Sequence, residues 1–225
     1  MEQEMTDEAV QHSLFSQKCW SFKLPRHEEY KKLINQILLL DKNDPDFRLP
    51  TGAGTDFLRD RQQTYVYAWK SDWNIHLSFP ILAQLCEDIK PYFNKIIKDE
   101  KLKNAVKIDV TQAWINKYEK GDYAIQHRHE NDSWVVNYMM KIPKDNTSIF
   151  RVHNPLGITY DSDLNENKAV LDINAPEGTV ILCPGAIEHS VTPNTSDETR
   201  VTVIIHYRLF PKWSEEVKEK DGKKD

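Results

Sequence analysis

The stretch Asn116-Lys117-Tyr118-Glu119-Lys120-Gly121-Asp122-Tyr123-Ala124-Ile125-Gln126-His127-Arg128-His129 decides the fold. Gly121-Asp122 is a turn signal between two runs of β-forming character, so the segment reads as strand, tight turn, strand. The same grammar continues downstream. Residues 106–118, 123–129, 134–142, 148–152, 169–173, 179–183, 188–191 and 200–209 are short, rich in β-branched and aromatic side chains, and split by Gly, Pro, Asn and Asp. Eight such segments in about a hundred residues predict a mainly β fold with two packed sheets, a sandwich or jelly roll.

Upstream the period changes. Tyr30, Leu33, Ile34, Ile37 and Leu38 recur at helical spacing, and so do Leu82, Leu85, Cys86, Ile89, Tyr92, Phe93, Ile96 and Ile97. Pro91 lies inside the second pattern and is expected to kink it. Leu14, Phe15, Trp20, Phe22 and Leu24 suggest one short strand before the first helix. The expected organisation is one domain. Residues 1–103 supply helical support and edge strands, 104–212 the β core, and 213–225 a charged tail.

Composition narrows the function. With Lys+Arg 30 against Asp+Glu 35, the net charge is −5. A chain without a broad basic field is not built primarily to grip a nucleic-acid backbone. Aromatic residues at 10% of 225 argue for a packed core rather than disorder. Cys19, Cys86 and Cys183 are too scattered for a disulfide framework or zinc cluster, which suits thiols in a reducing cytoplasm. The acidic N-terminus has no apolar signal region. No apolar run reaches the roughly 20 residues of a membrane span. A cytoplasmic protein is the expectation.

The chemistry concentrates on histidines. His127 and His129 sit at i and i+2, one face of a strand, where two imidazoles can hold one cation. His189 opens a later strand and is the candidate third ligand. Imidazole suits iron, copper, nickel or zinc. The competing reading is an incidental surface pair. Eleven positions after His189 comes Arg200, sharing a strand face with Thr202, Ile204 and His206. A guanidinium fork beside a hydroxyl is a cradle for a carboxylate, although an internal ion pair would also account for a buried arginine. Asn116 and Tyr118 share a face of the preceding strand and offer an amide and a phenol to the same anion.

This arrangement resembles the Fe(II)/2-oxoglutarate-dependent dioxygenases, on their prolyl-hydroxylase-like side. Their Tyr-x-x-Gly, five residues and His-x-Asp correspond to Tyr118-Glu119-Lys120-Gly121, five residues and His127-Arg128-His129. Their later Gly, apolar strand, Pro, His-x-Val-x-Pro and Arg correspond to Gly178, Thr179 to Cys183, Pro184, His189-Ser190-Val191-Thr192-Pro193 and Arg200. Asn137-Tyr138-Met139-Met140-Lys141-Ile142-Pro143 looks like the strand after the metal motif. The resemblance implies a double-stranded β-helix with Fe(II) held by His127 and His189. It also implies that Arg200 grips the distal carboxylate of the co-substrate 2-oxoglutarate, assisted by Tyr118, Thr202 and Asn116. O2 would be consumed, with succinate and CO2 released and a C–H bond hydroxylated.

One departure matters: His129 stands where the family has a carboxylate. His129 is a third ligand, or Glu130 or Asp132 swings in, or the position is left to water. His206 and Tyr138 are candidates for facing the substrate or supporting the site, with core packing the alternative for both. The substrate would be a small molecule or a protein side chain. Residues 155–168 and 47–61 are expected to select it. Two alternatives stay open: a three-histidine metal oxygenase without 2-oxoglutarate, and a non-enzymatic jelly-roll binding or structural protein. Arg200 discriminates against the first, because a cupin-type site has no need of a buried guanidinium about eleven residues after the last ligand.

Overall fold

A computed structural model describes residues 18–43, 65–99, 102, 105–129, 133–145, 149–154 and 170–211. Two long antiparallel strands organise it: β4 (Ala105–Tyr118) and β11 (Arg200–Pro211). They pair along nearly their whole length, from Arg200 opposite Tyr118 to Pro211 opposite Ala105. Alternation then sorts the side chains. Val201, Val203, Ile205 and Tyr207 point one way, and Arg200, Thr202, Ile204 and His206 point the other.

A six-stranded sheet forms around this pair, in the order β1 (Trp20–Lys23), β9 (Thr179–Pro184), β6 (Ser133–Lys141), β11, β4, β3 (Trp69–Lys70). A five-stranded sheet faces it, in the order β2 (Val66–Tyr67), β5 (Tyr123–His127), β10 (His189–Val191), β7 (Phe150–His153), β8 (Val170–Ile173).

Helices cover the outer face of the larger sheet. α1 (His27–Asn43), the short α2 (Ile75–Ser78), α3 (Pro80–Ile89) and α4 (Tyr92–Asp99) bury Tyr30, Ile34, Ile75, Leu82, Leu85, Ile89, Phe93 and Ile96 in one cluster with Val136, Tyr138, Met140, Val180, Leu182 and the odd-numbered face of β11. Each fully buried large aliphatic side chain there contributes about 1.5–3 kcal/mol of transfer free energy. A second cluster, including Met139, Phe150, Ile181, Cys183, Ile187 and Val191, fills one end of the space between the sheets. The other end is more polar and holds the site. No helix among the described residues is long and apolar enough to cross a membrane.

Three details differ from the sequence reading. Pro91 separates two helices instead of kinking one: α3 closes with Lys90 N–H donating to Glu87 O, and α4 starts at Tyr92. Proline has no N–H to carry the ladder across. β5 ends at His127, two residues short of the expected limit. β1 covers only Trp20–Lys23 of the expected first strand, whereas Leu14 and Phe15 lie outside the described residues. So do both proposed substrate-selecting segments and the tail.

Candidate active site

His127 is the last residue of β5 and His189 the first of β10, and the register sets them directly opposite each other. Their ring centroids are 4.4 Å apart. His129 lies just beyond β5. Its backbone N–H donates to Gly185 O at 2.8 Å, in the turn that leads into β10. A loop, not strand parity, therefore turns its ring inward, 5.2 Å from His127 and 5.1 Å from His189. One nitrogen from each ring lies within 4.8 Å of the others.

Two of the rings have a defined tautomer. His127 Nδ1 bonds Ile125 O at 2.7 Å, and His189 Nδ1 bonds Ile187 O at 3.0 Å. A carbonyl only accepts, so both Nδ1 atoms carry the hydrogen and both Nε2 atoms offer a lone pair. Burial keeps the rings neutral: it pushes His189 down to about 3 and lowers His127. His129 is lowered much further by burial and by neighbouring His206, His189 and His127. Three neutral nitrogen donors converging from one side fit a first-row transition metal.

On the same interior face, Thr202 stands opposite Asn116 and Arg200 opposite Tyr118. Arg200 is 2% exposed, its guanidinium carbon 5.5 Å from the Tyr118 ring centroid, with Nη2 donating to Met139 Sδ at 3.5 Å. Asn116 Nδ2 donates to Tyr118 Oη at 3.4 Å. Burial, partly opposed by Arg200, pushes the Tyr118 phenol up to about 12, so it remains a donor. Thr202 Oγ1 and Asn116 Oδ1 are buried without a hydrogen-bond partner among the described residues. A positive group with spare hydrogen-bonding capacity around it fits one carboxylate end of a diacid. Asn116 and Tyr118 line the adjoining cavity of about 170 Å³, with Arg200 and Thr202 set behind them.

Asn194 pins this end together. Its Nδ2 donates to Tyr118 O and Glu198 O, both at 3.0 Å, and its backbone exchanges hydrogen bonds with Gly121 and Asp122. Gly121 has φ +89°, which a side chain would resist.

The remaining expected residues separate. The His206 ring lies 4.5 Å from His129 and 4.8 Å from Trp114. Its Nε2 has no partner among the described residues, and burial pushes it down to about 4. Tyr138 is a correction: it is fully buried on the opposite face of β6, against the helices, and Asn137 takes the cavity side. The Tyr138 hydroxyl lies 2.7 Å from His27 Nδ1, and His27 in turn sits 3.4 Å from Glu177. Strand alternation forbids adjacent residues from sharing a face. Glu130 and Asp132 lie outside the described residues.

Lys70 was not anticipated. It stands opposite Asn116 in the β3–β4 register and is 7% exposed. Its Nζ lies 2.9 Å from the Trp73 ring centroid and 4.3 Å from that of Trp114. Burial pushes this ammonium down to about 7. Local sequence carries no signal for it: Lys70 follows Trp69 but precedes Ser71-Asp72, and its register on β4 is what turns it inward.

The family described as putative 2OG-Fe(II) oxygenase matches residues 112–206, the span from β4 to β11 that carries all three histidines. No curated protein matches the sequence. Among solved structures, the chain is similar to a prolyl-4-hydroxylase from Pseudomonas putida, at 11% identity and TM-score 0.59, over 87% of this chain and 94% of that one. It is also similar to HygX from Streptomyces hygroscopicus, solved with nickel and 2-oxoglutarate, at 10% identity and TM-score 0.58, over 85% and 83%. A third is the viral collagen prolyl hydroxylase of Paramecium Bursaria Chlorella virus-1, solved as a 2-oxoglutarate complex, at 12% identity and TM-score 0.51, over 85% and 96%. At these identities the likeness establishes the double-stranded β-helix fold, and the family match is confined to the segment 112–206. Residues 112–206 thus match the putative 2OG-Fe(II) oxygenase family, on a double-stranded β-helix fold whose three converging imidazoles could hold a metal ion.

Proposed function

We propose that the protein hydroxylates a C–H bond of a small molecule or a protein side chain. His127, His129 and His189 hold the Fe(II), a three-histidine face in place of two histidines and a carboxylate. Arg200 binds the distal carboxylate of 2-oxoglutarate, with Tyr118, Thr202 and Asn116 completing its hydrogen bonds. When bound, the iron and co-substrate supply O2 activation coupled to oxidative decarboxylation, giving succinate, CO2 and a hydroxylated product. The observation that carries the reading is the mutual 4.8 Å approach of three ring nitrogens.

The chain's own groups do the positioning. The carbonyls of Ile125 and Ile187 fix the His127 and His189 tautomers and aim their Nε2 atoms at one point. Phe150, 5.2 Å from His189, and Tyr65, stacked on His127 at 5.5 Å, shield the rings from water. The His206 ring packs edge-on against that of His129 at 4.5 Å and supports it. The free thiols of Cys19, Cys86 and Cys183 support a cytoplasmic location. The helical and edge segments of residues 1–103 serve as support for the core at 104–212, within one domain.

The test is stoichiometric. Protein with Fe(II), O2 and 2-oxoglutarate should form succinate, followed by proton NMR, and His189→Ala should abolish it. Wild-type protein that binds iron and forms no succinate would point instead to a metal oxygenase without this co-substrate.

A further inference from the structure

The cavity has two cationic ends, and the oxygenase reading uses only one. Trp114, Asn116 and Tyr118 alternate along the inner face of β4, so Trp114 and Tyr118 stand about 13 Å apart. Arg200 lies at the Tyr118 end and Lys70 at the Trp114 end. Lys70 is inward by register: its neighbour Trp69 faces out, where Lys117 Nζ lies 4.2 Å from its ring. An ammonium that is 7% exposed loses most of its hydration, and no carboxylate among the described residues pairs with it. The two indole faces recover part of that cost. Among the described residues lining the cavity, Lys70 and Arg128 carry charge and none is acidic. Trp114 contributes a further donor, since its Nε1–H is buried without a partner among the described residues.

We propose that Lys70, with Trp114, is the recognition site for a carboxylate on the substrate, which is therefore a small organic acid such as a free amino acid. The inference rests on the oxygenase reading above and names its substrate class. Lys70 Nζ packs on Trp73 and Trp114, whereas Arg200 packs on Tyr118, so the second ammonium is assigned to a second anion. Trp114, 4.3 Å from this ammonium, lies 6.4 Å from His129 and 4.8 Å from His206, so an acid held there has its carbon skeleton near the metal ligands.

The experiment is anaerobic calorimetric titration of the Fe(II)- and 2-oxoglutarate-loaded protein. The probes are the common L-amino acids, the aliphatic acids from acetate to hexanoate, and the matching amides. At least one acid should bind and its amide should bind at least tenfold more weakly. Lys70→Met should weaken the acid at least tenfold, Lys70→Arg should restore most of it, and both should keep the wild-type 2-oxoglutarate affinity. The melting temperature of Lys70→Met without ligand should equal or exceed wild type, because a desolvated charge is removed. No binding by any acid, equal binding of acid and amide, or a Lys70→Met variant that loses 2-oxoglutarate instead would each overturn the proposal. The acid-against-amide comparison uses wild-type protein and stands even if a variant fails to fold. Failure of the oxygenase reading is recorded separately, as absence of the Fe(II)/2-oxoglutarate charge-transfer band in wild type.

Discussion

Arg200 and Tyr118 stand directly opposite each other on β11 and β4, the guanidinium carbon 5.5 Å from the phenol ring centroid. Both are 2% exposed. Burying a guanidinium this deeply is costly, and a carboxylate that accepts two of its N–H groups offsets the cost.

Arg200→Ala should therefore weaken 2-oxoglutarate binding by about 100-fold, or about 3 kcal/mol, the loss of two charge-assisted bonds. Titration of the anaerobic Fe(II)/2-oxoglutarate band measures it. An unchanged band with a lowered melting temperature would make Arg200 a structural residue only.

In the proposed site His129 takes the place of the carboxylate ligand that the resemblance implies. His129→Asp should keep iron bound, and the added negative charge should shift the energy of the charge-transfer band. His129→Ala should lose iron by more than the ~10–100-fold typical of a supporting group, because a direct donor is gone. Metal content after gel filtration separates the outcomes. Iron loss in the Asp variant would show that the imidazole itself is required.

Gly178 has φ +80°, and an added Cβ would stand 3.0 Å from His27 Cγ. Gly121 has φ +89° with open space around the same position. Both alanine variants incur the left-handed backbone cost of about 1–2 kcal/mol. Only Gly178→Ala also crowds the His27 ring, which Tyr138 holds from the other side. Urea denaturation should place Gly178→Ala below Gly121→Ala by about another 1 kcal/mol. Equal losses would mean that His27 swings aside freely.

Glu177 carries a pH signature. Burial alone would raise its carboxyl, but the Lys31 ion pair, the Ile142 N–H and His27 outweigh that and hold it below the ordinary range. A lowered carboxyl stabilises the fold above its unfolded pKa, and that contribution disappears as pH falls through the folded value. Glu177→Gln should thus melt below wild type at pH 7, and the gap should close as the pH is lowered toward 3. A gap that stays constant with pH would assign the loss to packing instead.

Much of the fold was legible because the strands of the core are long apolar or alternating runs cut by strong turn residues. β11 and β4 are the clearest cases: Val201, Val203 and Ile205 announce a buried face, and the residues between them announce the site. β2 and β3 were not legible, since two residues carry no period. The approach of His127 to His189 follows from pairing, which motif order suggested. The inward turn of His129 depends on Gly185, a contact between loops that local sequence does not encode. Of the two readings of Tyr138, core packing is the one the strand positions select, since counting from β11 puts Asn137 inside and Tyr138 against the helices. Lys70 escaped notice because lysine ordinarily marks a surface, and only the β3–β4 register reveals that it faces inward.

The bonds of Asn194 to Tyr118, Gly121, Asp122 and Glu198 act as a rivet between the two long strands at their closed extremity. On the proposed reading, a co-substrate seated at the riveted end should arrive before its companion and depart after it, which an ordered pattern of product inhibition would report.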